Sequence, residues 1–179
     1  MKTELINKAI LARGLSYSPY SKFAVGAALL CKDGKIFVGS NVENSSYPLC
    51  MCAERNALYS AMMNGYKKED FLALAIVADT DEPCSPCGAC RQVISELFPK
   101  DGKIYLANLK GMEKETNILE LLPFAFSGTL PSSSAASTSS STQNGSGLSL
   151  NIANKMASAV NAFSPPDREI MFLIFLPGG

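Results

Sequence analysis

Apolar and polar positions along the first 126 residues fall into short alternating blocks. Leu5, Ile6, Ala9 and Ile10 recur at helical spacing and Gly14 offers a stop, which predicts a helix. Residues 23–31 and 35–42 are rich in β-branched and aromatic side chains, and Lys32-Asp33-Gly34 between them predicts a hairpin turn. Residues 52–64 read as a helix ended by Gly65. Residues 71–78 are an unbroken apolar run, the pattern of a strand covered on both faces. Residues 87–98 read as another helix with Pro86 near its first turn, 103–108 as a strand, and 117–122 as a short final helix. Two strands joined through a helix imply a right-handed parallel crossover. The fold class predicted is therefore α/β, a three-layer α/β/α sandwich around a mixed sheet.

Patterning changes near residue 127. Residues 1–126 carry 28 of the 32 charges, and only Lys155, Asp167, Arg168 and Glu169 lie beyond. Ten serines with Gly, Thr, Asn and Pro fill residues 127–149, the composition of a flexible linker. The expected organisation is a folded domain over 1–126, a linker over 127–149 and an apolar tail over 150–179. The stretch 148–163 is weakly amphipathic, and the run Ile-Met-Phe-Leu-Ile-Phe-Leu at 170–176 suits a buried strand or an aggregation-prone segment. Either this tail is foreign to the domain or it packs on the core as an added strand and helix.

Composition narrows the chemistry. Sixteen basic and sixteen acidic residues give no positive field for a phosphate backbone, so nucleic acid is not an expected partner. No apolar run is long enough to cross a membrane, and the amino terminus lacks the apolar core of a secretory signal. Six cysteines in such a chain point to a reducing cytoplasm and to metal or catalytic roles. There is no histidine. Any metal must be held by Cys, Asp or Glu, and any proton moved by Glu, Asp, Lys, Tyr or Cys.

Three segments carry the candidate chemistry: Cys52-Ala53-Glu54-Arg55 opening one helix, Pro86-Cys87-Gly88-Ala89-Cys90-Arg91-Gln92 opening the next, and Gly39-Ser40-Asn41-Val42-Glu43-Asn44 at the end of a strand. Cys87 and Cys90 share one helical turn, and Cys52 begins the preceding helix. If both helix N-termini meet at the sheet edge, three thiolates surround a tetrahedral zinc and leave its fourth position open, the catalytic pattern. Helix N-termini favour the thiolate form. Arg55, one turn from Cys52, would offset the excess negative charge of three thiolates by hydrogen bonding to the sulfurs. Glu54 would take a proton from water and pass it to a substrate nitrogen, provided Cys52 lies in the first turn.

Other readings of these cysteines remain open at this point. Cys84, Cys87 and Cys90 fall at CxxCxxC spacing and Cys50 precedes Cys52, which would suit a closed four-cysteine zinc module without catalysis. Cys87 and Cys90 alone would suit a redox pair. Glu54 and Arg55 would then be an ordinary solvated helix face. Cys31, on a strand, reads as a small core residue.

The CAE and PCxxC segments form a cysteine-for-histidine version of the zinc deaminase signature. With Tyr20-Ser21-Lys22-Phe23-Ala24-Val25-Gly26-Ala27-Ala28, Asn41-Val42-Glu43-Asn44 and Leu121-Leu122-Pro123-Phe124-Ala125-Phe126, residues 1–126 resemble the small homotetrameric cytidine deaminases of pyrimidine salvage. The resemblance implies a five-stranded sheet, one Zn2+ per subunit on Cys52, Cys87 and Cys90, and Glu54 as proton shuttle. It further implies a nucleoside substrate, with Asn41 and Glu43 on the ribose and Phe23 and Ala53 at the base. Tyr47 would approach a neighbouring subunit's site, and Phe126 would cross a subunit boundary to stack on the base. The implied reaction is hydrolysis of cytidine or deoxycytidine to uridine or deoxyuridine with release of ammonia. An alternative within the same fold is another aminated heterocycle of the blasticidin S type, against which the Asn41–Glu43 pair argues. Two departures stand out: Phe124 occupies a position where the family usually has Gly, and 53 residues follow Phe126.

Overall fold

The structure, a computed structural model, describes residues 1–128. Helix α1 (Lys2–Arg13) is followed by strands β1 (Val25–Cys31) and β2 (Ile36–Ser40). Helix α2 (Ala53–Met63), strand β3 (Phe71–Ala78), helix α3 (Gly88–Leu97) and strand β4 (Lys103–Asn108) come next. Strand β5 (Glu113–Thr116) and the one-turn helix α4 (Ile118–Leu121) complete the described part. The expectations for residues 127–149 and 150–179 lie, apart from Ser127 and Gly128, outside the described residues.

All five strands form one mixed sheet in the order β2-β1-β3-β4-β5. Strands β3 and β4, joined through α3, are parallel, and every other neighbouring pair is antiparallel. Strand β1 is buried along its whole length because helices cover both faces of the sheet. On one face, Ala28 and Leu30 pack with Leu5, Ile6 and Ala9 of α1. On the other, Ala27 and Leu29 belong to a core with Ala57 and Leu58 of α2, Ile94 of α3 and Ile118 of α4. Phe71 and Phe98, both fully enclosed there, contribute about 1.5–3 kcal/mol each through burial. The three-layer α/β/α arrangement follows directly from this alternation.

Two glycines let the layers meet closely. A Cβ on Gly39 would lie 2.2 Å from the Ala53 carbonyl oxygen and 2.5 Å from the Ala57 nitrogen, so the backbone of α2 rests directly on β2. Gly26 does the same beneath α1, where a Cβ would meet the Ala9 oxygen at 2.0 Å. The first of these contacts fixes the height at which α2 presents its N-terminus.

Two details differ from the pattern-based reading. Strand β5 is absent from the four strands that hydrophobic patterning marks, since Glu113, Lys114 and Glu115 are exposed and charged. It is held by its ladder to β4 and by a Lys103–Glu115 ion pair of 2.9 Å across that ladder. Ile10 is exposed rather than part of the apolar stripe, because the buried face of α1 runs through Leu5, Ile6, Ala9 and Ala12.

Candidate active site

Cys52 and Cys87 are the N-cap residues of α2 and α3, each with extended backbone. Cys90 lies in the first turn of α3 and is buried. The two helix N-termini therefore aim at one point, and the three sulfurs all lie within 4.8 Å of one another. Cys52 Sγ and Cys87 Sγ are 3.9 Å apart. A tetrahedral zinc with Zn–S bonds of about 2.3 Å requires sulfurs about 3.8 Å apart, so the donor set fits that ion in both chemistry and spacing. Among the described residues this is the only cluster of three or more Cys, Asp or Glu donors. It fits one zinc per subunit.

Cys50 and Cys84 contribute no fourth sulfur to it. The Cys50 thiol accepts from the Asn44 N–H at 3.3 Å and donates to the Asn44 carbonyl at 3.6 Å. Cys84 packs against the core, where burial pushes its thiol up to about 11. The closed four-cysteine arrangement is thus replaced by three sulfurs with an open position. Cys31 is a core residue, as its strand placement predicts.

The electrostatics suit metal binding and proton transfer. Hydrogen bonding from Cys90, followed by that from Arg55 and Cys87, holds the Cys52 thiol down at about 5 against its partial burial. Cys90 is pushed up by the same hydrogen bond and by burial. One thiolate thus stands ready at two positive helix ends, and metal binding displaces the remaining thiol protons. Arg55 donates from one terminal nitrogen to Cys52 Sγ at 3.6 Å and to the Cys50 carbonyl at 3.3 Å. Glu54 is only 4% exposed, so it is no solvated helix face. Burial, opposed by a backbone hydrogen bond and reinforced by the charge on Cys52, raises its carboxyl above the ordinary range. Such a group takes up a proton more readily than an exposed glutamate does.

Asn41 and Glu43 leave the end of β2 beside this cluster. Val42 pairs with Met51, each N–H donating to the other's carbonyl at 2.9 Å, which fastens the 41–43 segment next to Cys52. Asn56 of α2 donates to the Ser40 carbonyl at 2.7 Å and ties the helix to the same strand end. Ala53 is fully buried as the first residue of α2. Phe23 stands outside β1 with its ring partly exposed, and its carbonyl accepts from Asn41 Nδ2 at 2.8 Å. Tyr47 is 71% exposed and packs edge-on against Tyr20, ring centroids 6.1 Å apart. Phe126 is 79% exposed, so its own subunit does not enclose it, although its carbonyl accepts from Gln92 of α3 at 3.0 Å.

Several residues to which the sequence reading gives no role support the site. Arg91, directly after the PCxxC segment, donates to the Pro86 carbonyl at 2.8 Å, the Leu121 carbonyl at 3.0 Å and the Ser85 hydroxyl at 2.8 Å. It binds the loop before α3 to the segment that leads to Phe126. Asn108, buried at the end of β4, donates to the Thr80 and Asp81 carbonyls at 3.1 and 2.8 Å and holds the loop entering the site. Ser16 and Ser21 hold the side chains of Asn41 and Glu43. The only advance signal was their position close to the motifs.

Comparison with known proteins agrees with this geometry. Residues 1–106 match the family profile described as the cytidine and deoxycytidylate deaminase zinc-binding region. The cytidine deaminase of Halalkalibacterium halodurans is 56% identical over 122 residues, 68% of this chain and 91% of that protein. That of Sporosarcina psychrophila is 53% identical over 124 residues, 69% of this chain and 90% of that protein. The crystal structure of cytidine deaminase from Burkholderia pseudomallei superposes with a TM-score of 0.69 at 50% identity, covering 70% of this chain and 99% of that one. The Mycobacterium tuberculosis structure gives 0.61 at 37% identity, covering 70% and 97%. With three cysteines at two helix ends, a buried glutamate between them and these relatives along nearly their whole lengths, the chain belongs to the cytidine deaminase family.

Proposed function

We propose that the chain hydrolyses cytidine and deoxycytidine to uridine and deoxyuridine with release of ammonia, holding one zinc ion on Cys52, Cys87 and Cys90. The observation that carries this reading is the buried Glu54 beside three sulfurs whose fourth neighbour is not a cysteine. Bound zinc supplies the Lewis acidity that makes a water molecule nucleophilic near neutral pH. Glu54 accepts a proton from the attacking water and delivers it to N3 of the pyrimidine as the oxygen adds at C4. It then takes the proton of the new C4 hydroxyl and hands it to the exocyclic amine, so that the C4 carbonyl forms as ammonia leaves. The burial of Glu54 beside the three sulfurs supports its role as proton carrier. Arg55 draws negative charge from the Cys52 sulfur, keeping the three-thiolate set from quenching the metal's acidity.

Asn41 and Glu43 bind the ribose, with Phe23 and Ala53 at the base. A homotetramer completes the site, with Phe126 and Tyr47 reaching the site of a neighbouring copy; their exposure in the isolated subunit supports this. Six free cysteines suit a reducing cytoplasm. Among the described residues no helix is long and apolar enough to cross a membrane.

The test is the ultraviolet absorbance change on adding cytidine to zinc-loaded protein. Turnover that a chelator abolishes and zinc restores is the expected result. Glu54→Gln should retain its zinc and lose at least about 10²–10⁴-fold in kcat, the usual contribution of a positioned acid–base group. Near-wild-type rates in zinc-loaded Glu54→Gln would sink the assignment.

A further inference from the structure

Asn41 and Glu43 do not stand free at the end of β2; their polar atoms are already partly committed within the chain. The Val25 N–H donates to Asn41 Oδ1 at 2.8 Å, and Asn41 Nδ2 donates to the Phe23 carbonyl at 2.8 Å. A backbone donor and a backbone acceptor thereby settle which end of the amide is which. Ser16 Oγ lies 2.6 Å from the same Oδ1 and 3.2 Å from Ser18 Oγ. Oδ1 can only accept, so the Ser16 proton goes to Asn41 and Ser18 donates to Ser16. With both lone pairs of Oδ1 occupied and one of two Nδ2 hydrogens spent, Asn41 has one N–H left to give.

Glu43 is held in the complementary way. The Tyr20 and Ser21 N–H groups donate to Oε2 at 3.0 and 3.2 Å, and the Ser21 hydroxyl donates to Oε1. The Phe23 N–H donates to Ser21 Oγ at 3.0 Å, and because the carboxylate can only accept, the Ser21 hydroxyl proton is the one shared with Oε1. Lys22 closes this turn with a left-handed φ of 57°, a conformation that non-glycine residues adopt rarely and mainly where surrounding structure enforces it. Oε1 keeps one lone pair unspent.

We propose that Ser16 and Ser21 are positioning residues that hold the side chains of the sugar-binding pair in the orientation in which Asn41 donates to a ribose hydroxyl oxygen while Glu43 accepts that hydroxyl's proton. This rests on the reading of Asn41 and Glu43 as ribose contacts. Tyr17, which follows Ser16, locks the arrangement in place: its N–H donates to the Asn41 carbonyl at 3.0 Å and its carbonyl accepts from the Glu43 N–H at 2.8 Å. The serines touch the sugar only through their partners.

The experiment compares kcat/KM for cytidine and for 3′-deoxycytidine, which lacks the hydroxyl in question, in zinc-loaded wild type, Ser16→Ala, Ser21→Ala and Ser21→Thr. The wild type should prefer cytidine. Each alanine variant should lose about ten-fold of that preference through KM, the scale of one hydrogen bond to a charged or well-ordered partner. Ser21→Thr, which keeps the hydroxyl, should recover most of it. If both substrates slow equally in the alanine variants, or the preference is untouched, the serines do not orient the pair and the proposal fails. A wild type without preference would overturn the ribose reading itself, a failure visible without any variant.

Discussion

Cys52 Sγ and Cys87 Sγ approach to 3.9 Å although 35 residues separate them, because each cysteine caps a helix whose N-terminus ends at the same edge of the sheet. With Cys90 completing the set, zinc should shield three thiols, while Cys31 stays enclosed in the core and Cys50 and Cys84 remain open to a thiol reagent. Titration before and after chelation should therefore differ by three. A difference of four would mean a closed site recruiting Cys50 or Cys84. Cys87→Ala should lower zinc occupancy and turnover together, and turnover should not return at stoichiometric zinc.

How much of this was legible beforehand depended on the range of each interaction. The helices and four strands announce themselves through local apolar periodicity, and the CAE and PCxxC segments through short spacing. Strand β5 was invisible because Glu-Lys-Glu-Thr carries no apolar alternation and exists by pairing with β4. The roles of Ser16 and Ser21 were equally hidden, since each acts on a side chain more than twenty residues away. Only the folded chain brings Ser16 to Asn41. Phe23 illustrates the same limit: its composition suggests a strand residue, yet its backbone groups serve Asn41 and Ser21 instead of the ladder.

Gly39 offers a test of how tightly the fold controls the site. A methyl there meets backbone atoms of Ala53 and Ala57 rather than a side chain that can swing away. Gly39→Ala must push α2 off β2, carrying Cys52 and Glu54 with it. The expected cost is about 1–3 kcal/mol in unfolding free energy, as for overpacking elsewhere. Zinc affinity should fall at the same time. Unchanged stability and affinity would show that α2 does not rest on Gly39.

Glu43 supplies a pH prediction. The Ser21 hydroxyl, and after it the Ser21 and Tyr20 N–H groups, hold its carboxyl below the ordinary carboxylate range. A group with a depressed folded value contributes stability that is present above its unfolded value, about 4.3, and is lost as pH falls through the folded one. Glu43 therefore stays ionised throughout the neutral range. KM for cytidine should be flat from about pH 8 down to about pH 5 as far as this group is concerned. In Ser21→Ala the leading cause of the depression is gone, and the acid-side rise in KM should begin at higher pH than in wild type. Coincident acid limbs in the two proteins would contradict the assignment.

Phe124 sits at a backbone φ of 58°, the left-handed region that favours glycine, and its side chain is fully exposed at 104%. A glycine, which the resemblance leads one to expect at this place, would adopt that backbone freely, whereas the phenylalanine here is strained with no burial in the isolated subunit to compensate. Left-handed backbone costs a side-chain-bearing residue about 1–2 kcal/mol, while glycine's extra freedom in the unfolded chain returns about 0.4–1 kcal/mol of that. Phe124→Gly should accordingly raise unfolding free energy by about 0.5–1 kcal/mol, and Phe124→Asn, which tolerates the same φ, should do so in part. Phe124→Ala should not, because its Cβ keeps the strain. Thermal unfolding of the three variants reads the difference directly, and cytidine turnover reads whether relief at 124 reorients Phe126 two residues on. A fall in Tm for Phe124→Gly would mean instead that the ring is buried against another copy of the chain, where its lost contacts outweigh the relieved strain.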